Sequence, residues 1–139
     1  MKRLIMTSIV LIAGISGEAM AVDCTNNQVK GTTLTTTLSG YTVCAINGGD
    51  KWQEYHAANS DLIDYKMGPG HAVDPSEKVG TWSATTNGSN SAVTYNYGSG
   101  GVYSYKVYLN LGQYTFCGLS GAPTLDVKLQ SGSGACTAF

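Results

Sequence analysis

Between residues 92 and 129, apolar side chains recur at every second position, and this alternation constrains the fold more than any other feature. Ala92–Tyr97 (AVTYNY) sets Val93, Tyr95 and Tyr97 on one face and Thr94 and Asn96 on the other. In Val102–Leu109, Tyr103, Tyr105, Val107 and Leu109 share a phase, against Ser104 and Lys106. Tyr114 and Phe116 continue the pattern, and so does the Leu-Asp-Val-Lys-Leu run at 125–129. Successive side chains of an extended chain point to opposite sides, so period two means strands with one buried face. Gly98-Ser99-Gly100-Gly101 and Asn110-Leu111-Gly112 divide the strands by reversals short enough for hairpins.

The first half reads more weakly in the same way. Val79–Thr85 carries Trp82, Tyr41–Ala45 is short and alternating, and Lys51–His56 places Trp52, Glu54 and His56 on one face. Leu62–Met67 is read with Ile63, Tyr65 and Met67 inward and Asp64 and Lys66 outward. The threonine-rich run Thr32–Leu38 is read as a first strand, because β-branched residues favour extended backbone. His71–Lys78, with Asp74-Pro75, reads as a loop. The expected fold is all-β: seven or eight antiparallel strands in a meander, forming a small closed or nearly closed β-barrel. Closure removes exposed sheet edges. A two-sheet β-sandwich is the alternative.

Residues 1–21 have the layout of a secretory signal peptide. Lys2 and Arg3 precede an apolar run from Leu4 to Ile15, and Ala19-Met20-Ala21 is a small-x-small cleavage site. The run is too short to span a bilayer, so residues 22–139 are expected to form one soluble, secreted or periplasmic β domain. That part holds six lysines, no arginine and eight carboxylates. The lysines are scattered, which argues against nucleic acid or an anionic membrane as partner.

All four cysteines lie beyond the leader, so two disulfides are expected. Cys44 and Cys117 both fall off the apolar phase and could be bridged outside the core if their strands were neighbours. This gives Cys44–Cys117 and Cys24–Cys136 as the expected pairing, one of three that four cysteines allow. No C-x-x-C, HxH, HExxH or EF-hand pattern occurs, so no metal or other cofactor is expected. Serines lack the G-x-S-x-G setting of a nucleophile, and Asp61 and Asp64, three apart, face opposite ways on a strand.

Glu54 and His56 are the one pairing with acid–base potential. A strand with a polar rim at a barrel mouth explains them more simply. The run of tyrosines on three successive strands reads first as core, since aromatic cross-strand pairs stabilise sheets. It also reads as an amphipathic pocket, or as a self-association surface. Trp52, Glu54, His56, His71, Trp82, Tyr95 and Tyr105 are the candidate lining or rim residues. A non-enzymatic module binding a small ligand or a protein partner is the favoured reading. A structural or self-assembling extracellular protein is the first alternative, and a hydrolase using Glu54 and His56 the second.

Gly80-Thr81-Trp82 is similar to the G-x-W that opens lipocalin barrels, but less than half of the chain follows Trp82, and a lipocalin places nearly all its strands after that motif. A wider pattern is TVCA at 42–45, WQEYH at 52–56, DYK at 64–66, GPGHAVDP at 68–75, VGTWS at 79–83, VTYNYG at 93–98 and YTFCG at 114–118. In these segments, across roughly residues 38–118, the chain resembles a group of small exported bacterial proteins without an assigned activity. The resemblance implies export and brings no site residues with it.

Overall fold

The computed structural model describes residues 22–65 and 76–139. The leader, and the loop that holds His71, lie outside the described residues. Eight strands form a closed barrel in which every neighbour pair is antiparallel: β1 (Tyr41–Asn47), β2 (Asp50–His56), β3 (Asp61–Tyr65), β4 (Ser76–Thr85), β5 (Ala92–Asn96), β6 (Val102–Asn110), β7 (Gln113–Gly118) and β8 (Leu125–Ser131). β8 closes the ring by pairing with β1, Val43 opposite Leu129. No strand edge is left over along the ring, which answers the edge problem directly.

The alternating side chains fill the interior. Val43, Val93, Tyr95, Tyr105, Val107, Phe116, Leu125 and Val127 belong to one buried cluster, as their phase predicts. Strand β3 is the exception to the expected phase. Leu62 is buried, and Glu54 faces Asp64 across β2–β3, so Leu62 and Asp64 point inward and Ile63 and Tyr65 do not. This five-residue strand carries apolar residues on both phases, and pairing with the neighbours decides between them. A register shift on the β4 side, between Leu62 and Ile63, adds a bulge beside Val79.

Thr32–Leu38 is a helix (α1), not a strand. Leu34 and Leu38, four apart, share one helical face, and both are fully buried in the barrel's own core cluster. Burying those two leucines outweighs the weak helix propensity of threonine. Thr36 Oγ1 bonds back to the carbonyls of Thr32 and Thr33 (3.2 and 3.1 Å), which satisfies its hydroxyl within the helix. The helix sits where β1 begins, so it closes one end of the barrel. Ahead of it, an N-terminal arm runs along β6, with Val29 N–H donating to Val107 O (2.8 Å) and Leu109 N–H to Asn27 O (3.1 Å). Gln28 Nε2 and the Ser91 hydroxyl tie this arm to the β4–β5 loop.

The disulfides are Cys24–Cys117 and Cys44–Cys136, which corrects the expected pairing. Cys44 and Cys117 do face outward from the barrel, but β8 lies between β1 and β7, so the two cysteines are not neighbours. Each receives a cysteine from a chain end instead. The N-terminal arm reaches Cys117, and the C-terminal tail crosses β1 and β2, where Cys136 N–H donates to the buried Gln53 side chain (2.9 Å).

Candidate functional site: the aromatic mouth of the barrel

The end opposite α1 carries the β1–β2, β5–β6 and β7–β8 connections, and the described residues leave it open. A cavity of about 390 Å³ enters the barrel there. Its wall includes Trp52 and Glu54 from β2, Asp64 from β3, Tyr97 after β5, Tyr103 and Tyr105 from β6, and Pro123 and Leu125 at the start of β8. Asn47, Asp50 and Lys51 form the rim on the β1–β2 hairpin. This volume falls within the roughly 300–1,000 Å³ of small-molecule sites.

Two glycines shape the mouth. A Cβ on Gly80 would collide with the backbone oxygen of Asn96, so its absence lets β5 close tightly on β4 just before Tyr97. A Cβ on Gly118 would collide with Ala122 O, so its absence lets the β7–β8 connection fold back and bring Pro123 to the cavity. The glycine of the G-x-W sequence therefore serves strand approach, while its tryptophan fills the core.

Aromatic rings run as a column from the closed end to the mouth. Trp82 meets His56 edge-on at 5.0 Å between ring centroids, and His56 meets Tyr95 at 5.4 Å. Tyr95 meets Trp52 at 5.4 Å, and Trp52 contacts Tyr105 and Phe116 at 5.8 and 6.0 Å. Above them Tyr97 packs against Tyr103 at 5.9 Å. Tyr103 is 40% exposed and marks the rim.

Glu54 and His56 share a strand face yet take separate partners. His56 Nε2 lies 2.8 Å from the Tyr95 hydroxyl, and Nδ1 lies 3.2 Å from Tyr41 O. A carbonyl can only accept, so Nδ1 carries the proton and Nε2 accepts from Tyr95. Burial drives the His56 pKa down to about 4, so this imidazole is neutral across the physiological range. Glu54 accepts from the Tyr97 hydroxyl at 2.7 Å and from the Trp52 side chain. Burial pushes its pKa up to about 7; the two hydrogen bonds oppose that rise, and the charge of Asp64 adds to it. Burial, and then the nearby Glu54 charge, raise the Tyr97 hydroxyl far above its ordinary value, so it acts as a donor only.

Of the residues singled out in the sequence, Trp52, Glu54 and Tyr105 line the cavity. His56, Trp82 and Tyr95 do not: they are buried in the closed half, hydrogen-bonded to protein groups. His71 lies outside the described residues. Tyr97, Tyr103, Asp64 and Pro123 are additions. The β5 and β6 alternation already gave Tyr97 and Tyr103 the right phase, and their place beside the GSGG turn put them at a barrel end. Asp64 was hidden by the misread phase of β3.

Fold and site together define a closed eight-stranded up-and-down barrel, plugged by a helix at one end and hollow and aromatic at the other. No family model, curated protein or solved structure matches the chain. Among the described residues, no cluster of His, Cys, Asp and Glu could hold a metal ion, and no helix is long and apolar enough to cross a membrane.

Proposed function

We propose that this protein is an exported, non-enzymatic binding module that seats a small ring-bearing molecule in the barrel mouth. The cavity carries the reading: four aromatic side chains surround it, with a few polar groups to orient a guest. The separate partners of Glu54 and His56 weigh against the pair as an acid–base unit, because His56 Nε2 already accepts a hydrogen bond from the Tyr95 hydroxyl and is buried away from the cavity. Closure of the ring weighs against assembly by strand addition. The leader pattern and the two disulfides support export to an oxidising compartment.

The chain has two tryptophans, and Trp52 alone lines the cavity. Titration with small aromatic compounds should therefore quench the fluorescence of the wild type. The response should vanish in Trp52→Phe and persist in Trp82→Phe. A response carried by Trp82 alone would sink the reading.

A further inference from the structure

The chemistry of the cavity narrows the guest. Glu54 is only 6% exposed, yet it lines the cavity with its carboxylate held in place by Tyr97 and Trp52. A neutral or anionic guest would strip the remaining water from this carboxylate and bring no counter-charge, so Glu54 would have to take up a proton. A positively charged head compensates that charge. The walls suit the same head, because the faces of Trp and Tyr attract ammonium groups, most strongly where water is excluded. Across the β2–β3 ladder Glu54 faces Asp64, whose charge adds to the rise in the Glu54 pKa. Among the described lining residues Lys51 is the only cation, and its ammonium sits 4.8 Å over the Phe139 ring.

We propose that the barrel mouth is a site for an organic cation, an ammonium group on a flat apolar body, with the ammonium against Glu54 and the body among Trp52, Tyr97, Tyr103 and Tyr105. This rests on the mouth being the binding site and adds the class of guest. Binding is linked to protons. The groups facing Glu54 are Asp64 from β3, Tyr97 from the end of β5, and Tyr103 and Tyr105 from β6, with Asp50 and Lys51 on the hairpin rim. Tyr97 and Tyr105 are both raised and stay protonated, so Glu54, with a pKa of about 7 in the empty site, is the group that must lose its proton when the cation enters.

The test uses three probes with one ring and different heads: 2-phenylethylamine, 2-phenylethanol and phenylacetate, titrated by calorimetry into wild type and Glu54→Gln. At pH 8 the amine should bind at least about tenfold more tightly than the alcohol, with phenylacetate weakest. Below pH 7 the wild-type amine affinity should fall by about tenfold per pH unit, while the alcohol affinity should not fall. Glu54→Gln should lose both the amine preference and the pH slope while keeping the near-ultraviolet circular dichroism of the wild type. If that variant does not fold, the wild-type pH profile decides on its own. Equal binding of alcohol and amine at pH 8, or an amine affinity flat between pH 5 and 8, overturns the cation assignment and leaves the mouth as a general apolar site. Failure of all three probes to bind overturns the mouth as a site for small aromatic molecules as well.

Discussion

The two ends of this barrel are built from the same strands and treat polar groups in opposite ways. At the closed end His56, on β2, is fully buried against Trp82 and Tyr95, and both its nitrogens are bonded to protein. Trp82 gives its indole N–H to Ala57 O (2.9 Å). Two residues earlier on the same strand, Glu54 stands at the cavity wall with a pKa near neutrality. The closed end has spent its hydrogen-bonding capacity on itself. The open end keeps a buried carboxylate with one side toward space. The difference comes from the lid: α1 brings apolar surface to one rim, and the described loops at the other rim bring none comparable.

Four experiments would break or sharpen this contrast. The largest effect is expected from the tryptophans. Trp82→Ala should cost about 4 kcal/mol in urea unfolding, as for a fully packed aromatic, and Trp52→Ala about half of that because Trp52 borders a cavity. Equal losses would mean that the mouth is packed as tightly as the core.

Next comes the pH dependence of stability. The folded-state pKa of Glu54 is raised to about 7, so its favourable contribution is complete below its ordinary 4.5 and is lost as pH rises through 7. The folded-state pKa of His56 is lowered to about 4, so its contribution is complete above 6.5 and is lost as pH falls through 4. Each spans about 3 kcal/mol at most. In denaturation midpoints at pH 3.5, 5.5 and 8, Glu54→Gln should remove the alkaline loss and leave the acid one. An alkaline loss that survives the substitution would place its source elsewhere.

A smaller effect is expected of single hydroxyls. Tyr95→Phe leaves His56 Nε2 without its donor in a dry site and should cost about 1–3 kcal/mol. Tyr97→Phe should cost less at acid pH, where Glu54 is protonated, than at pH 8, where the carboxylate needs the donor. The same cost at both pH values would show that Tyr97 and Glu54 are not coupled.

The smallest effect lies in the β6–β7 turn below the closed end. Leu111 is 89% exposed and holds a left-handed φ of 48°, followed by Gly112 at 79°. Asparagine tolerates that conformation better, so Leu111→Asn should raise stability by about 0.5–1 kcal/mol without touching the mouth. Calorimetric melting of the variant beside the wild type checks this.

Much of the barrel was legible because alternation is a local signal that the closed sheet preserves. Val93, Tyr95, Tyr105, Val107 and Phe116 all point where period two puts them. What failed depended on partners distant in sequence. TTLTTTL has the composition of a strand, and only the need to cover an open barrel end makes it a helix. Leu62 and Ile63 compete for the same interior, and the pairing with Glu54 and His56 settles which one wins. Cys44 and Cys117 were given the correct face, but the strand between them is visible only once the ring is closed. The site was half legible for a related reason. Phase tells which residues point inward, but it does not say how far along the axis each one lies. His56, Tyr95 and Trp82 therefore looked equivalent to Glu54, Tyr97 and Tyr105 until the helix identified the sealed end.

The cystines also decide how this shell would respond to pulling. Each joins a segment near one terminus to a strand in the wall, Cys24 to β7 and Cys136 to β1, and the two closed loops overlap across most of the ring. Force applied to either tail is delivered through sulfur to the side of the barrel, at β7 and at β1, the two strands that flank β8. The staves would have to slide as a hoop, so the oxidised molecule should yield to tension far later than its reduced form.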